Sequence, residues 1–367
     1  MDPMFGDLFK LLGQQGPDAW FQTATQLALN VARGDDGDPN PQPRERQRLE
    51  EFAPLVGRHV DALFGVPSRA EVTAVNRSGL TLAALRQWKP LLAPLTESPP
   101  SLNLDNIEGG AMMAQLAGSF GPLFLGFQTG SVAGHFSERA WSLAALTLPR
   151  ESDERLLVVN NLAAFAQEWS LEPDEVVVFA LAREFVASLI LSQPGTGDAL
   201  RALLADAVRE AAAAQGDILT RLQDMINPEN MSSFMSNPES LLDGIELPGE
   251  TDATRAINAA AAGLGAVFDA AAEQVTTALL GPRPTLSEAW RRHRLSDARG
   301  EDAAAALFAI SNQGPHHEAA RAFVAELVAE HSINVFAALL RVDGLPSDAE
   351  LRDPAAWYER VTNSPLA

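Results

Sequence analysis

The chain has 367 residues, 46% of them hydrophobic, enough for one large domain or two medium ones. It carries 48 acidic against 27 basic residues, a net charge of −21. That balance argues against nucleic acid and anionic membranes as partners, since both are held by clustered Lys and Arg. There is no cysteine, which excludes disulfides, thiolate catalysis and Cys-based zinc sites and fits a cytoplasmic protein.

The opening MDPMFGDLFKLL has no basic region ahead of a long apolar run, so no signal peptide is expected. Phe5, Leu8, Phe9 and Leu12 fall at helical spacing until Gln14-Gln15-Gly16-Pro17 breaks it. Asp18 is placed to cap a helix running through Val31, with Trp20, Phe21, Ala24 and Leu27 on its apolar face. Residues 33–46 form a polar, Pro-rich connector. Residues 46–66 read as a helical pair or as one helix interrupted by Pro54, with His59 a surface or boundary histidine. Residues 71–95 suggest a short strand, a turn at Asn76–Gly79 and a helix, with a second loop at 96–105.

Residues 109–134 contain no charge, and Gly126, Gly130 and Gly134 recur four apart. A membrane span needs about twenty apolar residues, and small residues at this spacing pack helices in lipid. Gln115, Gln128, Thr129, Ser131 and the internal Pro122 argue instead for a buried, tightly packed helix or hairpin. A charged loop follows at 150–155, then one strand in LLVVNN (156–161) and a helix from Ala163 to Trp169.

The stretch from Pro173 to Ser192 has the best-defined helix. Pro173 suits a first helical position, and Asp174 and Glu175 place negative charge in the first turn. VVVFALAREFVASLIL is apolar almost all round, the pattern of a buried helix. Arg183, Glu184 and Ser188 interrupt it. Charges on a buried helix need a partner or water, so the residues mark either a satisfied ion pair or a site.

Further on, an Ala/Leu-rich helix (198–214) continues into GDILTRLQDMI. A Pro-punctuated loop (227–250) then leads to a long helix through about 253–280. Arg291, Arg292, His293, Arg294 and Arg299 form the densest basic cluster, read as a solvated helix face. An amphipathic helix and a short second one follow over 318–342, and DPAAW starts the last. His316 and His317 are adjacent, so their side chains diverge by about 100° and do not share one metal. No nucleophile elbow, P-loop or dinucleotide fingerprint is present.

Four segments, 156–189, 109–136, 227–246 and 345–361, together resemble the zincin-like metallopeptidase type 2 family, widespread in actinobacteria and provisionally named hydrolases. The resemblance implies a mainly α protein with a few short strands and zincin-like α+β topology. It implies one unit over 1–367: an N-terminal helical part with the Gly-rich helix (1–150), the active-site helices (151–285) and a C-terminal helical part (286–367). It also implies zinc held by H-E-x-x-H, two His one helical turn apart with Glu as general base. Here those positions read Arg183, Glu184 and Ala187, and the family's downstream Glu-Gly pair falls on Ala262-Gly263. Neither Arg nor Ala offers a lone pair to a metal. The expectation is therefore no metal and no cofactor, with Glu184 vestigial and Arg183 a permanent positive charge standing in for the cation against neighbouring carboxylates. Function is expected to be non-catalytic, through an unidentified protein partner or a structural role. The alternative is a hydrolase with a recruited site around Glu184. Oligomeric state is left open.

Overall fold

The structure is a computed structural model that describes residues 18–34, 37–67, 71–97, 110–225, 250–295, 303, 307–311, 314–341 and 344–363. The amphipathic start at 5–12, the loop 227–246 and Arg299 lie outside the described residues.

Helix α1 (Ala19–Arg33) ends at Gly34, which takes φ 53°. Asp18 was expected to cap it. Its carboxylate instead pairs with Lys89 at 2.7 Å, and its carbonyl accepts from the Phe21 and Gln22 amides. Helix α2 (Pro43–Phe64) starts with a reciprocal Gln42–Glu45 capping box and runs unbroken through Pro54, so this stretch is one helix. Strand β1 (Thr73–Val75) leads directly into α3 (Arg77–Glu97). The turn expected at Asn76–Gly79 is the first turn of α3. Asn76 Oδ1 accepts the Gly79 amide, and Asp38 accepts those of Arg77 and Ser78, so the helix start has its donors satisfied.

Helix α4 (Gly110–Arg139) carries the glycine series. A Cβ on Gly126 would lie 2.6 Å from the Trp20 carbonyl oxygen, one on Gly130 2.7 Å from that of Ala24, and one on Gly134 2.5 Å from Val31 Cβ. Successive glycines thus meet successive turns of α1 in ascending order, and the two helices run side by side in the same direction. The glycines serve helix packing within the protein. Among the described residues no single helix is long and apolar enough to cross a membrane.

A 3₁₀ turn (Leu143–Ala145) leads to strand β2 (Leu156–Val158), which pairs in parallel with β1 in the register Thr73↔Leu156, Ala74↔Leu157, Val75↔Val158. Then come α5 (Val159–Glu168), α6 (Pro173–Leu191), α7 (Pro194–Met225), α8 (Asp252–Leu280) and α9 (Pro284–Leu295). Helix α10 (Pro315–His331) is followed by a 3₁₀ segment (Ile333–Leu340), α11 (Asp348–Leu351) and α12 (Pro354–Asn363). The fold is mainly α, with one two-stranded parallel ladder among the described residues.

Helix α6 is the centre. Every residue from Val176 to Leu191 is buried, because α2, α5, α8 and the 3₁₀ turn at 143–145 close round it. Phe179, Phe185, Val178 and Ile190 are among its core side chains, each contributing about 1.5–3 kcal/mol by leaving water. That enclosure puts Arg183 and Glu184 in an apolar setting.

Candidate functional site

Arg183 and Glu184 are 5% and 0% exposed. They are neighbours in sequence and so leave α6 in different directions, each into its own ion pair.

Glu184 meets Arg150 in a two-pronged pair: Nη1 donates to Oε1 at 2.7 Å and Nη2 to Oε2 at 3.0 Å. The Ala144 amide adds a donor to Oε2 at 3.3 Å. Arg150 is buried too, with a side chain only 3% exposed. Both carboxylate oxygens are therefore committed inside the protein. A general base must reach the proton it takes, directly or through one water, and Glu184 has no open face from which to do so.

Arg183 turns the other way. Its Nε donates to Asp269 Oδ1 at 2.8 Å and its Nη1 to the Ala144 carbonyl at 2.7 Å. Its guanidinium lies 5.0 Å from the ring centre of Trp290. Asp269, on α8, also accepts from Trp290 Nε1 at 3.0 Å and from Arg294 Nη1 at 2.6 Å. Burial alone would raise the Asp269 carboxyl, but Arg294, Arg183 and the Trp290 hydrogen bond outweigh it and hold it below the usual carboxylate range. The ensemble is three guanidiniums (Arg150, Arg183, Arg294) around two carboxylates (Glu184, Asp269), with Ala144 touching both halves through its N–H and C=O.

An aromatic wall flanks the network. Trp141 packs on Trp290 with centroids 4.2 Å apart, and His293 stacks on both. Arg139 Nη2 sits 2.7 Å from His293 Nδ1, which must therefore accept. Burial and the Arg139 charge push His293 down to about 4, so the ring is neutral.

These residues do not fit a zinc ion. Position 183 offers a guanidinium, Ala187 has nothing to donate, and the oxygens of Glu184 are taken by Arg150 and Ala144. Among the described residues no group of three or more His, Asp or Glu is arranged to hold a metal. Ala262 is fully buried on α8, and a Cβ on the adjacent Gly263 would lie 2.5 Å from Pro346 Cγ, so the C-terminal segment covers that pair. The α8 carboxylate that faces α6 is Asp269, two helical turns further along, about 10 Å by helix rise. A shallow cleft of about 490 Å³ opens at the N-terminal end of α6, lined by Arg44, Arg48, Gln167, Ser170 and Pro173, and Glu184 is not on its wall.

Arg150, Asp269 and Arg294 were not singled out as site residues by the sequence pattern. Arg150 sat in an apparent charged loop and Arg294 in a seemingly solvated basic cluster. Within that cluster Arg291 and Arg292 do face water and pair with Glu288, while His293 and Arg294 turn inward. Asp269 was legible in principle, as an isolated charge within the apolar run of α8.

A solved structure from Chloroflexus aurantiacus, described provisionally as a hydrolase with a novel fold, superposes with a TM-score of 0.59. The match covers 94% of this chain and 99% of that one at 16% sequence identity, a likeness of fold. No curated protein matches the sequence. The model of the zincin-like metallopeptidase family matches residues 20–358. The chain belongs to the zincin-like metallopeptidase family.

Proposed function

We propose that this chain is a non-catalytic member of its family, acting as an interaction or structural protein, in which a buried ion network takes the place of a metal centre. One observation carries the reading: Glu184, which the sequence resemblance aligns with the general base of the family motif, is fully buried with both oxygens bound by Arg150. The guanidinium at position 183, paired with Asp269, supports it from the other side. A positive charge fixed to α6 supplies what a bound cation would supply to the facing carboxylate. The cysteine-free, acidic composition fits a cytoplasmic setting and a protein partner rather than nucleic acid.

The test is elemental mass spectrometry of tag-free protein after mild dialysis, with melting curves in added zinc and a panel of peptide and ester substrates. The expected result is no stoichiometric metal, no zinc-dependent rise in melting temperature and no turnover. Stoichiometric zinc, or turnover abolished by Glu184→Gln, overturns the reading in favour of a hydrolase with a recruited site.

A further inference from the structure

The first turn of α10 carries two adjacent histidines with opposite surroundings. His316, 6% exposed, lies between two carboxylates: Nε2 is 2.8 Å from Glu250 Oε1, just ahead of α8, and Nδ1 is 3.1 Å from Asp348 Oδ1, the first residue of α11. The Nδ1···Oδ1 approach is off the hydrogen-bond line, and neither atom has another partner. A neutral imidazole has one N–H. In that form, one buried ring nitrogen would present a lone pair to a carboxylate oxygen. Only the imidazolium has a proton for each side.

His317 faces the reverse. Its Nδ1 is 3.4 Å from Arg294 Nη2, a group that can only donate, and its Nε2 is 3.1 Å from the Ser311 carbonyl oxygen, which can only accept. One tautomer satisfies both, the neutral ring protonated on Nε2. A charged His317 would put a cation against Arg294.

We propose that the two imidazoles hold opposite charge states in the folded chain, His316 doubly protonated and His317 neutral. Together they join the central ion network to the C-terminal α11. One side reaches Arg294 and through it Asp269 and Arg183; the other reaches Asp348 and α11. The charged groups nearest the two rings, Glu250 and Asp348 for His316 and Arg294 for His317, work in this sense, while Arg255, Arg352 and Asp269 behind them oppose it. Glu250 and Asp348 face His316, each shared with a second cation, Arg255 at 3.7 Å and Arg352 at 2.6 Å. Arg294 faces His317 with Asp269 behind it. Burial first, then Arg294, push the His317 imidazole down, against Ser311 and Asp269, and His316 adds to the push. Because His317 is held neutral, its contribution to stability is lost as pH falls.

The experiment is long-range ¹H–¹⁵N correlation on full-length protein with ¹⁵N-labelled histidine at pH about 6.5, where a free imidazole is half charged. His316→Gln and His317→Gln supply the assignments. The expected spectrum has two equivalent, imidazolium-type nitrogens for His316 and a protonated Nε2 with a bare Nδ1 for His317. Equal charge states, a reversed pair or the Nδ1–H tautomer of His317 overturns the proposal. Amide exchange at Leu351 at the same pH tests the joint itself. Protection is expected to be lower in His316→Gln than in the wild type. Equal protection in the two proteins overturns the joint even where the charge states hold.

Discussion

Replacing Glu184 by Gln separates a structural carboxylate from a catalytic one. The amide keeps the shape of the side chain and removes its charge. Arg150, with a side chain 3% exposed, then keeps one neutral acceptor and no counter-ion, and the network passes from three guanidiniums and two carboxylates to three and one. Breaking a buried pair from one side costs about 3–5 kcal/mol. For a chain of this length the unfolding entropy is about 0.8 kcal/mol/K, so the melting temperature should fall by about 4–6 °C. Removing both partners, as in Glu184→Leu with Arg150→Met, leaves no orphaned charge and is expected to recover most of the loss. Differential scanning calorimetry on wild type, both single variants and the double variant measures this as a cycle. A Glu184→Gln protein melting within about 1 °C of wild type, or a double variant no better than the singles, would refute the argument. An enclosed Glu184 predicts lost stability; an open general base predicts lost turnover at nearly unchanged stability.

Three more expectations follow from the same geometry. Asp269→Asn leaves Arg183 and Arg294 facing each other with no anion between them, and should cost more than about 3 kcal/mol in urea unfolding; a cost below about 1 kcal/mol would mean the network is not holding α8 to α6. His293, neutral in the fold and held down to about 4 against the ordinary imidazole value of 6.5, contributes stability that is complete above about 6.5 and lost as pH falls towards about 4. At most about 3 kcal/mol is at stake, seen as a pH-dependent urea midpoint over that range that flattens in His293→Phe. Gly134→Ala gains about 1 kcal/mol of helix propensity, yet its Cβ meets Val31 Cβ at 2.5 Å. A net destabilisation of about 1–2 kcal/mol is expected, whereas net stabilisation would mean α1 is free to move away.

Local chemistry made much of this fold readable. Pro173, the acidic first turn and the long, mostly apolar run located α6 to within a residue of its observed end, and Gly281 ended α8 where GPRP predicted. The glycine spacing in α4 revealed a close contact but not its partner, because the pattern is the same for a lipid-embedded pair and for α1. That Arg183 and Ala187 offer no lone pair to a metal is legible in the sequence, whatever surrounds them. The partners were not. Arg150 looks like a loop charge, since nothing local tells an arginine on a surface loop from one folded back over α6. Arg294 and Arg291 sit three apart on one helix, and only the position of α8 decides which is buried. Asp18 illustrates the same limit in reverse: a good local cap was overridden by Lys89 on a distant helix.

The parallel docking of α1 on α4 imposes an order on synthesis. Roughly 90 residues of chain separate the end of α1 from the glycines it packs against, and ribosomes add about 5–20 residues per second. For roughly 5–20 seconds, then, the face carrying Trp20, Ala24 and Ala28 has emerged without the surface made to cover it. That face also carries Leu27 and Val31, so it is apolar surface open to wrong partners until α4 arrives.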